Sequence, residues 1–130
     1  MYKFEIEDYY ELLNLHKAII ESKFHKNPDN ISVCFSPIIA KISNDIVDIL
    51  IKMEEEKDES KVEKWKEWRK LENQTIFRNQ AIENACTYTN WHKLSYEKKL
   101  ISCRNLMSPF YVSDSEIETI INEIDKKISN

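Results

Sequence analysis

Ser36-Pro37-Ile38-Ile39-Ala40-Lys41-Ile42-Ser43-Asn44-Asp45-Ile46-Val47-Asp48-Ile49-Leu50-Ile51-Lys52-Met53 is the stretch whose reading decides the fold class. Ser36 offers a hydroxyl to the first free N–H groups of a helix. Pro37 sits at the first helical position, where its missing N–H costs nothing. Ile38, Ile39, Ile42, Ile46, Ile49, Leu50 and Met53 return at helical spacing as a stripe about 120° wide. Lys41, Asn44, Asp45, Asp48 and Lys52 lie opposite. The expectation is a helix with that isoleucine stripe on a core and the polar side in water.

The same period extends outward from this helix. Ile6, Tyr9, Leu12, Leu13, His16, Ile19, Ile20 and Phe24 share one side of a first helix over about Glu7 to His25, ended by Asn27-Pro28-Asp29-Asn30. Ile31-Ser32-Val33-Cys34-Phe35 alternates and is expected to be extended, a short strand or a connection. Ser60-Lys61-Val62-Glu63 reads as a capping box opening a helix to about Thr87. The apolar side of that helix drifts, from Val62, Trp65, Trp68 and Leu71 to Phe77, Ala81, Ile82 and Ala85, so a kink near Asn73-Gln74-Thr75 is expected. A further helix follows over Leu94 to Met107, with Thr89 or Asn90 as its cap and Ser108-Pro109 as its stop. Ser113-Asp114-Ser115-Glu116 opens the last, whose stripe is Ile117, Ile120, Ile121, Ile124 and Ile128. The sum is an all-α, single-domain bundle of about five helices over residues 1–130.

Composition narrows function mostly by exclusion. The 130 residues contain no glycine. That removes the phosphate loop, the dinucleotide fingerprint, the EF-hand and the nucleophile elbow, all of which need a residue without Cβ. Hydrophobic residues at 42% and charged residues at 32% suit a globular core with a charged surface. Heavy use of Ile, Lys and Asn is the slant of an A/T-rich coding region, as bacterial accessory genes often have. A net charge of −4 disfavours non-specific nucleic-acid binding and favours a basic partner. Cys34, Cys86 and Cys103 are odd in number and widely spaced, which reads as reduced thiols in a cytoplasmic protein. No apolar run of signal-peptide type and none of membrane-spanning length is present.

No motif carries chemistry. His16, His25 and His92 and the three cysteines are isolated, without the paired spacing of a zinc site, so no metal and no cofactor are expected. His16, in the middle of its stripe, reads as a hydrogen-bonded core histidine. Glu7/Glu11, Asp45/Asp48 and Glu63/Glu67 are carboxylate pairs on faces read as solvated, where nothing moves a pKa toward acid–base work. The acidic run Glu54, Glu55, Glu56, Asp58 and Glu59, with Asp45 and Asp48 upstream, forms a candidate partner-binding patch. Lys64, Trp65, Trp68 and Arg69 interleave basic and aromatic residues and form the alternative, a nucleic-acid-binding or enzymatic accessory site. The reading is a non-catalytic protein-binding module, most concretely an immunity or antitoxin-type inhibitor occluding a basic toxin such as a nuclease.

Overall fold

The computed structural model describes residues 1–130 as one all-helical domain. Seven α-helices appear in order: α1 Tyr9–Lys23, α2 Ile31–Phe35, α3 Pro37–Glu55, α4 Glu59–Trp68, α5 Thr75–Cys86, α6 Tyr96–Met107 and α7 Asp114–Ser129. Two 3-10 turns, Leu71–Asn73 and Trp91–Lys93, precede α5 and α6. No helix is long and apolar enough to cross a membrane.

The expected count of five rises to seven for local reasons. Residues 31–35 are a helical turn, not extended chain. The Asn30 side chain accepts the Ser32 N–H at 3.1 Å, and Ile31, Cys34 and Phe35 fall on one side at i, i+3 and i+4. The long helix expected over 60–87 breaks between Trp68 and Thr75. There Arg69 and Leu71 both turn inward, and the backbone pairs with a later segment, Tyr111 N–H to Arg69 O at 2.8 Å and Leu71 N–H to Tyr111 O at 3.3 Å. α4 is capped by Asp58, which accepts from Ser60 N–H, so the box expected to start at Ser60 begins two residues earlier. α6 is capped by Ser95 rather than Thr89 or Asn90. The caps at Ser36 and Ser113 form as the sequence indicates. In a chain without glycine the one positive φ falls to Asn27, in the turn after α1, a residue type that tolerates this region better than most.

Two clusters make the interior. The larger joins the end of α1 (Ile20, Phe24), Cys34 of α2, α5, Trp91, α6 and the isoleucines of α7. The smaller, Leu12 with Ile46 and Leu50, lies between α1 and α3. α1 packs on α3, and α3 packs on α4.

Helix α3 is where the structure departs furthest from the expected packing. Its buried side is Ala40, Ser43, Ile46, Val47, Leu50 and Glu54. That side is centred roughly 80° further round than the isoleucine stripe, at 100° per residue. Ile38, Ile42 and Ile49, expected on the core, are 69%, 40% and 47% exposed. Small Ala40 and Ser43 allow close helix approach, so the neighbours settle against that edge of the stripe instead of its centre.

Between α3 and the C-terminal end of α6 lies a polar core built on two buried basic side chains, Lys23 and Arg69. Lys23 ends α1 and donates to the carbonyls of Asn105 (2.7 Å) and Ser108 (2.6 Å). Both carbonyls lie at the α6 C-terminus, the negative end of the helix dipole, and Asn105 O also accepts from the Ser108 N–H at 3.3 Å. Arg69 donates from Nε to Pro109 O at 2.7 Å and from Nη1 to Asp48 at 2.5 Å, while Nη2 reaches Asn44 O and Oδ1 at 3.4 and 3.3 Å. Its guanidinium also lies over the Tyr111 ring, 4.3 Å from the centroid. Together the hydrogen bonds of these two side chains fix the 105–111 segment against the rest of the bundle.

Candidate functional site

Two surfaces gather the residues singled out in the sequence. The first is the outer face of α3 with the turn that follows it. Ile38, Ile42 and Ile49 form a row about 16 Å long at 1.5 Å rise per residue. Asp45 lies within the row, and Glu56 continues its line at the C-terminal end. Glu55 at the end of α3, Glu56 and Asp58 in the turn, and Glu59 at the start of α4 are all exposed, and none is within ion-pair distance of a lysine or arginine. Asp58 is engaged as the α4 cap, and that hydrogen bonding to Ser60 holds its carboxyl below the ordinary value, helped by Lys61 and Lys64.

Of the acids expected on that solvent face, one is buried and two stay exposed but are paired. Glu54 is 4% exposed and faces the Tyr9 hydroxyl. Asp48 is exposed but holds Arg69 at 2.5 Å. Asp45 is paired with Lys41 one turn back at 2.6 Å. The acidic patch is therefore shorter than the sequence suggests, centred on Glu55, Glu56 and Glu59, and it borders an apolar row that the expected packing had hidden.

The second surface is a groove of about 640 Å³ between α1 and α4. Both helices lean on α3 and leave a cleft between themselves, with Glu54 of α3 and Phe77 of α5 contributing to the lining. Trp65 and Trp68 meet His16 of α1 edge to face, at ring-centroid distances of 5.4 and 5.1 Å, and each other at 5.5 Å. The i, i+3 spacing of the tryptophans on α4 brings both rings to the same wall. Lys17, Lys61 and Lys64 stand around this aromatic wall. Of the alternative site residues, Lys64, Trp65 and Trp68 thus come together here. Arg69 does not, because one more residue along the helix turns it into the polar core.

His16 was expected to be a hydrogen-bonded core histidine. It is buried, at 6% exposure, but its Nδ1 is enclosed without any hydrogen-bond partner. Burial, with Lys17 adding to it, pulls the imidazole down to about 4, so the ring is neutral at physiological pH. The position of His16 on an apolar stripe was legible. Its lack of a partner was not, since that depends on what α4 brings opposite.

The remaining reactive groups sit inside the fold. Cys34 and Cys103 are fully buried, and Cys86 is half-buried. Burial, then the nearby Asp125 charge, pushes the Cys103 thiol up to about 12. No three His, Cys, Asp or Glu side chains converge as a metal-ligand group would. No family model, curated protein or solved structure matches this chain.

Proposed function

We propose that this chain is a non-catalytic protein-binding module that docks through the outer face of α3 and the acidic turn after it. The most concrete form is an immunity or antitoxin-type inhibitor covering a basic surface on its target, for example the substrate cleft of a nuclease. One observation carries the reading: an exposed row of three isoleucines, Ile38, Ile42 and Ile49, runs directly into exposed acids that the chain itself leaves unpaired. Protein interfaces join an apolar centre that supplies most of the affinity to a charged rim that supplies orientation and encounter rate. Here the apolar row would be the centre and Glu55, Glu56 and Glu59 the rim. Inhibition would be steric occlusion, with no bond made or broken.

The test uses two variants with separate logic. Ile42→Glu places a charge in the middle of the row at an exposed position, so folding stability should change by no more than about 0.5 kcal/mol. Glu55→Lys/Glu56→Lys/Glu59→Lys reverses the rim while leaving the Asp58 cap intact. Each is expected to weaken capture of a basic partner from the source cells by about tenfold or more, and the wild-type complex should loosen at high salt. A basic partner retained equally by wild type and both variants would contradict the assignment of this face.

A further inference from the structure

The groove between α1 and α4 has features that the docking face does not use. Its wall is aromatic, from Trp65, Trp68, His16 and Phe77, and its volume of about 640 Å³ falls in the range of small-molecule sites. Lys17, Lys61 and Lys64 line it, and none of the three is within ion-pair distance of a carboxylate. Five of the thirteen lysines elsewhere, Lys41, Lys66, Lys70, Lys99 and Lys127, each hold an acid, and what sets Lys17, Lys61 and Lys64 apart is that all three stand around one aromatic groove. Two acids also line the groove, Glu21 and Glu54, against the three lysines. Glu54 faces Tyr9, Glu21 lies 3.8 Å from His25, and Asp58 caps α4.

A second, independent observation points to a guest. His16 is more than nine-tenths buried in this wall, yet its Nδ1 bonds to nothing in the chain. A buried polar atom without a partner costs free energy, and a guest in the groove is one thing that would offset it here. The surrounding rings already sit edge to face, an arrangement that a further planar ring extends by packing against their exposed edges and faces.

We propose that this groove is a binding site for a small aromatic carboxylic acid, its ring system seated against Trp65, Trp68 and His16 and its carboxylate held among Lys17, Lys61 and Lys64. Charge selects the class. An apolar wall alone would take any planar guest, whereas three uncommitted ammonium groups at its edge favour an anion and penalise a cation of the same shape.

The experiment titrates the full, isotope-labelled chain with naphthoate and, in parallel, with naphthylmethylammonium, which presents the same rings with the opposite charge. The chain has three tryptophans, and Trp91 lies buried in the main core, away from the groove lining. Its indole N–H signal is therefore an internal control. Naphthoate is expected to move the Trp65 and Trp68 indole signals, leave Trp91 in place, saturate at one ligand per chain, and bind about tenfold more tightly than the cation. In Lys17→Gln/Lys61→Gln/Lys64→Gln the preference should shrink to about twofold or less, with the Trp91 signal unchanged as evidence of an intact fold. Equal binding of anion and cation would overturn the proposal. So would indole signals that stay still at millimolar naphthoate. Oligothymidylate moving the same signals at lower concentration than naphthoate would also overturn it, in favour of a single-stranded nucleic acid.

Discussion

Arg69→Met is expected to lower folding stability by about 3 kcal/mol, a large share of the roughly 5–15 kcal/mol that holds a domain of this size. Methionine fills much of the same space, so the loss isolates the polar contacts. The guanidinium is 2% exposed and serves Pro109 O, Asn44 O, Asn44 Oδ1 and Asp48. Removing it strands the buried Pro109 carbonyl, at a cost of about 1–3 kcal/mol, and ends both the contacts to Asn44 and the stacking on Tyr111. Asp48 adds little to the penalty because it is exposed and rehydrates. The comparison variant is Lys66→Met, whose exposed ammonium lies 3.9 Å from Glu63 and should matter by about 0.5 kcal/mol at most. Urea titration reads both, with an unchanged slope showing that only stability moved. A loss below about 1 kcal/mol for Arg69→Met would mean that the 105–111 segment is held by something other than this cation.

Stability should also climb with pH in two separate windows. His16 ionises at about 4 in the folded chain, against an ordinary value of 6.5. Between those values the unfolded chain binds a proton that the folded chain refuses. The stability tied to neutral His16 is therefore complete above pH 6.5 and is lost as pH falls toward 4. Discounted for solvent reaching it through the groove, this is about 2 kcal/mol. Lys23 behaves alike at higher pH. Burial pulls its ammonium from 10.5 to about 7, with the Cys34 thiol opposing the shift. The unfolded chain again holds the extra proton, so stability rises from pH 7 upward.

That second rise is cut short above pH 9. There the unfolded chain releases the Cys103 proton, which the fold retains to about 12, and Cys34 and Cys86, also raised by burial, act in the same direction, so the Lys23 climb is cancelled. The usable climb is from pH 7 to 9, about 2 kcal/mol. Denaturation at pH 7, 8 and 9 should show it in the wild type and not in Lys23→Met, whatever that variant's absolute stability. A wild-type curve flat across this window, or a variant that keeps the slope, would remove Lys23 as the cause.

What the sequence makes legible is set by how local the determinant is. The caps at Ser36 and Ser113 and four of the five isoleucines expected on the last stripe, Ile117, Ile120, Ile121 and Ile124, are read correctly because cap and stripe lie within one helix, while Ile128 near its C-terminal end is exposed. The packing face of α3 is not, since a stripe shows where apolar residues lie but not where neighbours settle. Val47 and Glu54 are buried and Ile38 is left in water by where the helices packed on α3 settle. The alternation at 31–35 resembles a strand only until the i, i+3, i+4 relation of Ile31, Cys34 and Phe35 is weighed with the Asn30 cap.

The sites divide along the same line. The tryptophan pair and the basic residues beside it can be picked out from spacing. That Trp65 and Trp68 share a groove with His16, while Arg69 leaves it, depends on contacts between α1 and α4. Glu54 could have been assigned to the interior by its place on the line of Val47 and Leu50, at the i+7 and i+4 positions. It was masked by the run of acids around it.

The most direct measurement of the docking face is photocrosslinking from single positions in the source cells. A photoreactive phenylalanine analogue is placed at Ile42 in one variant and at Ile76 in another. Ile76, at the start of α5 and 84% exposed, controls for exposure alone. The account predicts one discrete adduct with a basic protein from position 42, lost when Glu55, Glu56 and Glu59 are reversed to lysine, and none from position 76. An adduct from position 76 with position 42 silent would contradict the assignment of α3 as the docking face.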